Sequence, residues 1–291
     1  MSDKKIAIVA CSDPISDNTR MILNELIACL NELDLAALLA PTVLDPSEDP
    51  GLLIAHKAQN LNAYFADDDI KAIFDISGGN LANTIIPYLD YSLLKRKHKP
   101  FFGYSDLTSI LNAIYAKTDK PTYLYQLRNI YQDKSKMQKQ AFANMVNNVD
   151  LSLFTIKWRF IRKEQVSGIM IGGNIRCFLK LAGTPYMPKL ADKILFLESY
   201  GGELALIQSF MAQLKQLPDF AKLKGIALGT FTMIDKQGQT AKLITMVADM
   251  IQEYDMALLK TEDVGHGVNA KCLIIGQNYN LQKAENDEGI A

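Results

Sequence analysis

Three residues of this 291-residue chain have the types and settings that nucleophilic catalysis needs: Ser105, Glu198 and His266. Ser105 stands in Gly103-Tyr104-Ser105-Asp106, after an apolar run (100–104) and before a helical pattern (107–117). A serine at a strand-to-helix turn projects its hydroxyl clear of the backbone, and the N–H groups that follow can stabilise an oxyanion. Gly103 leaves room for the tight approach. The G-x-S-x-G pattern is incomplete, because Leu107 replaces its second glycine. The same position suits a helix N-cap, where serine is preferred, so the tetrapeptide alone leaves both roles open.

A nucleophilic serine needs a base and a group that orients the base. The chain has 3 histidines. His98 lies in the charged connection Lys95-Arg96-Lys97-His98-Lys99 and reads as solvated, whereas His56 falls on a helical pattern (52–60). His266 lies in Val264-Gly265-His266-Gly267-Val268, where flanking glycines let the backbone turn sharply and present the ring. Glu198 ends the apolar run Ile194-Leu195-Phe196-Leu197. A buried carboxylate must be paired, so Glu198 needs a partner or a place at the open end of its strand. Glu262 and Asp263, nearer to His266 in sequence, compete for the orienting role. Cys11, Cys29, Cys177 and Cys272 are far apart, without metal-ligand spacing. Neither G-x-G-x-x-G nor a P-loop occurs. No cofactor and no metal are expected.

The elements around these residues alternate. Residues 5–11, 70–76 and 100–104 read as strands, with helical patterns over 19–33, 81–89 and 107–117. That order implies an α/β fold with a parallel sheet, whose sites gather at the carboxyl ends of strands. Ser77-Gly78-Gly79 and Ser105 both fall there. After Asn147-Asn148-Val149-Asp150 the texture changes. We place an N-terminal α/β domain at 1–149, and a smaller, mixed, β-rich domain at 150–291. In the second, 151–160 and 164–171 carry β-like runs, and 193–197, 226–231, 257–259 and 272–275 read as strands. Helices are expected over 174–182 and 203–214, where Glu203 is a dipole-favoured starting acid.

Composition excludes several classes. Hydrophobic residues make up 48% and charged residues 22%, a globular mixture. The 31 Lys+Arg against 32 Asp+Glu leave a net charge of −1, so no global attraction draws the chain to nucleic acid or an anionic membrane. The run after Met1-Ser2-Asp3-Lys4-Lys5 is too short for a signal peptide and lacks a cleavage site. A reduced, cytoplasmic protein is expected.

Taken together, these residues resemble the LD-carboxypeptidase family of serine peptidases, which includes the microcin C immunity peptidases. The resemblance covers nearly the whole chain. It runs through Gly78-Gly79 with Ile86-Pro87-Tyr88-Leu89-Asp90, through Gly103-Tyr104-Ser105-Asp106-Leu107-Thr108, and through Gly172-Gly173-Asn174. Leu181-Ala182-Gly183-Thr184-Pro185-Tyr186, the strand ending in Glu198, Gly225–Phe231 and Gly265-His266-Gly267 follow in order. It departs at Ile76-Ser77-Gly78-Gly79-Asn80, where relatives carry a polar residue before the glycines and an aromatic after them. Residues 121–128 also lack the relatives' Gly-Pro ending.

The resemblance implies a triad of Ser105, His266 and Glu198 set between two domains. It also implies oxyanion donors from Asp106 and the Gly78-Gly79 turn, and a homodimer. Its substrate would be a small peptide, the murein tetrapeptide, cut at the L,D bond before the terminal D-alanine. Two alternatives stand: an immunity-type peptidase acting on a peptidyl- or aminoacyl-nucleotide, and a two-lobed binding protein with an idle site. A carboxypeptidase must hold a terminal carboxylate, for which Arg128 and Arg176 are candidates by position. Tyr104 and Trp158, the only Trp, could line the pocket or simply pack.

Overall fold

The computed structural model describes residues 4–13, 20–43 and 50–283. The first half runs β1 (Lys5–Val9), α1 (Arg20–Asn31), β2 (Ala36–Leu39), α2 (Pro50–Ala66), β3 (Ile70–Asp75) and a 3-10 stretch (Ala82–Tyr88). It continues with α3 (Tyr91–Arg96), β4 (Phe101–Gly103), α4 (Thr108–Thr118), β5 (Thr122–Leu124), α5 (Asn129–Gln132) and α6 (Met137–Val146). The second half runs β6 (Arg159–Arg162), β7 (Gln165–Asn174), α7 (Ile175–Leu179), β8 (Lys193–Ser199), α8 (Leu204–Lys215) and β9 (Gly225–Phe231). After these come α9 (Thr232–Lys236), α10 (Thr240–Met250), β10 (Ala257–Lys260), β11 (Leu273–Ile275) and β12 (Asn278–Gln282).

Two six-stranded sheets result, ordered β11-β5-β4-β3-β1-β2 and β12-β7-β8-β9-β10-β6. The first is parallel except at β11. The second has a parallel centre, β7 to β10, with antiparallel β12 and β6 at its edges. This is the expected α/β fold with a mostly parallel first sheet and a mixed second one. The central strands are continuous apolar runs because they are covered on both faces. Ile194, Leu195, Phe196 and Leu197 of β8 are fully buried, each such side chain contributing about 1.5–3 kcal/mol.

Helix α4 joins the two halves. Its residues from Thr108 to Tyr115 are all buried, as befits a helix covered on every side. The Asn112 amide donates to the carbonyl of Gly172 at 2.8 Å and accepts from its N–H at 2.9 Å, tying α4 to β7 across 60 residues of sequence. One helical turn nearer Ser105, Thr108 Oγ1 accepts from the Asn174 N–H at 3.0 Å.

Several local expectations change. Residues 273–275, expected in the second sheet, pair with β5 in the first, Leu273 opposite Leu124. Apolarity shows that a strand is buried but not which edge it covers; here it closes an otherwise open edge. Residues 151–160 do not form one strand. The Ser152 N–H bonds Asp150 Oδ1 at 2.9 Å, a turn forms at Ser152–Phe154, and β6 begins only at Arg159. The helix expected over 81–89 is a 3-10 stretch containing Pro87. The one expected over 174–182 starts after Asn174, whose side chain caps it by accepting from the Cys177 N–H. Thr19 and Met1–Asp3 lie outside the described residues. Among those described, no helix is long and apolar enough to cross a membrane.

Candidate active site

Ser105 follows β4 directly and opens a single 3-10 turn with φ 54°, a left-handed conformation costly for any residue but glycine. Such strain at a strand-to-helix turn lifts the side chain away from the backbone. No side chain caps this turn, and Tyr104 rather than Ser105 occupies the cap position. The hydroxyl instead lies 3.2 Å from Nε2 of His266, 161 residues away.

The other ring nitrogen of His266, Nδ1, lies 2.7 Å from Oε2 of Glu198. Glu198 is fully buried at the carboxyl end of β8. Its Oε1 has no hydrogen-bond partner among the described residues. A buried carboxylate so thinly solvated is a strong acceptor for an imidazolium. Tyr104 adds a third contact. Its hydroxyl donates to Glu198 Oε2 at 3.0 Å and lies 3.2 Å from His266 Nδ1, and its ring meets the imidazole edge-on. Burial and the neighbouring Glu198 raise the Tyr104 phenol well above its ordinary pKa, so it stays a protonated donor. Gly265 places His266 against β9: a Cβ there would lie 1.6 Å from Thr230 Oγ1. The Thr230 N–H donates to the Val264 carbonyl at 2.9 Å and pins the loop.

Beneath Ser105, the Asp106 carboxylate is fully buried and anchored three ways. It ion-pairs with Lys180, accepts from Ser12 Oγ at 2.7 Å and accepts from the Ala82 N–H at 2.8 Å. Lys180 also donates to the Asn80 carbonyl at 2.8 Å, and Arg176 donates to Asn80 Oδ1 at 2.6 Å and to the Gly79 carbonyl at 3.1 Å. The Gly78-Gly79 turn is thereby tied to α7 as well as to Asp13, whose N–H donates to Gly78 at 3.2 Å. Gly79, at φ 130°, has no space for a side chain: a Cβ would meet Asp13 Oδ2 at 2.0 Å.

A cavity of about 460 Å³ opens over Ser105 and His266, lined also by Asn174, Arg176, Ser199, Tyr200, Gly201, Leu206 and Phe210. Tyr200 covers the imidazole at a centroid distance of 5.1 Å. Gly78 and Gly79 are not on this wall; Arg176 connects them to it. Other candidates lie elsewhere. Glu262 pairs with Lys260. Asp263 accepts from the Lys157 N–H at 2.7 Å and pairs with Lys271, which leaves Glu198 as the acid on His266. His98, expected to be solvated, is half-buried with Nε2 3.1 Å from the Pro121 carbonyl. His56 is exposed on α2. Arg128 does not line the cavity. Neither does Trp158, which packs edge-on against Phe196. Glu203 is exposed at the start of α8.

The arrangement holds a hydroxyl, an imidazole and a carboxylate in line for proton transfer beside a pocket large enough for a small substrate. Sequence reasoning undervalued Tyr104. Its neighbour Ser105 carried the signal, but a tyrosine next to a catalytic turn gives no hint of which way its hydroxyl points.

Residues 6–125 match the family model for the LD-carboxypeptidase N-terminal domain, and residues 167–281 the model for the LD-carboxypeptidase C-terminal domain. The chain is 29% identical over 206 residues to a Treponema pallidum protein with a provisional carboxypeptidase name, an alignment spanning 60% of this chain and 59% of that protein. It is 23% identical over 240 residues to the murein tetrapeptide carboxypeptidase of Pseudomonas aeruginosa, covering 79% and 78%. To the Escherichia coli microcin C7 self-immunity protein MccF it is 24% identical over 245 residues, covering 73% and 71%. The structure of MccF in complex with glutamyl sulfamoyl guanosine shares the fold at a TM-score of 0.83, with 19% identity over 98% of this chain and 97% of that one. That of muramoyltetrapeptide carboxypeptidase from Oxalobacter formigenes does so at 0.78, with 19% identity over 97% and 96%. The two family models together reach from residue 6 to residue 281, and the chain belongs to the LD-carboxypeptidase family of serine-type carboxypeptidase hydrolases.

Proposed function

We propose that this protein is a murein tetrapeptide carboxypeptidase that hydrolyses the L,D-peptide bond and releases the terminal D-alanine, with Ser105, His266 and Glu198 as its catalytic triad. The observation that carries this reading is the unbroken relay from Ser105 Oγ to His266 Nε2 at 3.2 Å and from Nδ1 to Glu198 at 2.7 Å. The names of the Pseudomonas and Oxalobacter relatives support the choice of substrate.

His266 takes the Ser105 proton on Nε2 as Oγ bonds to the scissile carbonyl carbon. Nδ1–H donates to Glu198 throughout, which fixes the tautomer and stabilises the imidazolium. The carbonyl oxygen becomes an oxyanion, held by the backbone N–H of Asp106, next to the nucleophile; one such donor is worth about 3 kcal/mol. The C–N bond then breaks, and Nε2–H protonates the departing amine of D-alanine. Water, deprotonated by the same nitrogen, attacks the acyl-serine and regenerates the hydroxyl.

The peptidyl-nucleotide alternative shares the same relay, and Tyr200 and Phe210 on the cavity wall offer aromatic faces to a base, so an assay must separate the two substrates. The test is to supply purified protein with a murein tetrapeptide and, separately, with an acyl-sulfamoyl nucleotide, and to measure released D-alanine and released amino acid. D-Alanine release that vanishes in Ser105→Ala is the expected result. Turnover of the nucleotide conjugate alone would replace the proposal with the alternative.

A further inference from the structure

Among the described residues, the cavity over Ser105 carries one permanent charge. Of the described side chains on its wall only Arg176 is a fixed cation, and none is an acid. Glu198 is fully buried and joined to His266, and Lys180 is committed to Asp106. A pocket with one exposed cation selects a substrate with one anionic group at a fixed distance from the scissile bond. We propose that Arg176 is the receptor for the substrate's terminal carboxylate, the residue that makes this hydrolase a carboxypeptidase. The proposal rests on the reading of Ser105 as nucleophile of a peptide carboxypeptidase.

The guanidinium has five N–H donors in a rigid fork. One donates to Asn80 Oδ1 at 2.6 Å and another to the Gly79 carbonyl at 3.1 Å. Both acceptors are neutral, and among the described residues no carboxylate pairs with Arg176. Its charge is therefore uncompensated, while its orientation is fixed before substrate arrives. Three donors remain, enough for the bidentate grip that a carboxylate accepts. The fold sets its position. Arg176 sits in the first turn of α7, which β7 delivers beside the Ser105 turn through the Asn174 N–H to Thr108 bond. The same two bonds hold the Gly79-Asn80 turn, so one residue links the carboxylate site to that turn.

That second role makes simple loss of activity uninformative, so the test compares two substrates in two proteins. The tetrapeptide and its C-terminal amide are assayed with the wild type, Arg176→Met and Arg176→Lys, thermal melting confirming that each is folded. The wild type is expected to favour the free acid at least tenfold in kcat/KM. Arg176→Met should lose roughly 10- to 100-fold more on the acid than on the amide, the extra loss falling mainly in KM, so the preference collapses. Arg176→Lys should retain part of it. An equal loss on acid and amide would overturn the assignment and leave Arg176 as a support for the 79–80 turn. A wild type active on both substrates without preference would overturn it too. A wild type inactive on both would remove the tetrapeptide reading itself, and this inference with it.

Discussion

Replacing Asn112 with alanine tests whether the site depends on the junction between the two sheets. The Asn112 amide satisfies both the N–H and the C=O of Gly172, at 2.9 and 2.8 Å, at a position with no solvent exposure. Alanine leaves two buried backbone groups without partners, each costing about 1–3 kcal/mol, or roughly 2–6 kcal/mol in all. At about 2 °C per kcal/mol for a chain of this size, the melting temperature should fall by roughly 4–12 °C. Activity should fall further than stability alone explains. Gly172 lies two residues before Asn174, which Thr108 holds beside the Ser105 turn, and Ser105 must meet His266 from the other half. A displacement of 1 Å in such an alignment costs about 100-fold in rate. The assay pairs calorimetry with kcat measured well below the new melting temperature. A variant with unchanged melting and unchanged kcat would refute the reasoning and show that the α4–β7 clasp does not position the triad.

Further outcomes follow from the same geometry. Tyr104→Phe removes the donor to Glu198 Oε2. Glu198 then keeps His266 as its one hydrogen-bond partner among the described residues and the pair is held less firmly, so kcat should fall roughly tenfold at little change in KM. Lys180→Met strands the buried Asp106 carboxylate and should cost roughly 3–5 kcal/mol in urea unfolding, with part recovered by adding Asp106→Asn. Gly265→Ala drives a methyl group into Thr230 and should cut kcat by about 100-fold through displacement of His266. Thr230→Ala in the same chain should restore part of the loss.

The three residues of the proposed triad were legible as candidates from local signatures, a serine after a Gly-Tyr step, an acid ending an apolar strand and a histidine between glycines, but the family resemblance was needed to choose Glu198 over Glu262 and Asp263. The parallel sheets were legible for a related reason, since β1 and β8 carry the apolar runs Ile6–Val9 and Ile194–Leu197. What escaped was set by partners distant in sequence. Asn112 and Gly172 show no sign of each other along the chain, and the direction of the Tyr104 hydroxyl depends on where β8 ends. β11 went to the first sheet because β5 presents an open edge to it, which its own three residues do not encode. β2 and β5 are too short for alternation to separate them from neighbouring loops. His98 sits in a run of lysines and arginine that reads as solvated, yet the Pro121 carbonyl draws its ring inward.

The proposed catalysis requires Ser105 to act as a nucleophile activated by His266. The most direct measurement is labelling with a fluorophosphonate followed by peptide mass mapping, on the wild type, Ser105→Ala and His266→Ala. A single adduct on Ser105, absent in the first variant and at least 100-fold slower to form in the second, is the predicted result. An adduct on another residue, or labelling of Ser105 at full rate without His266, would contradict it.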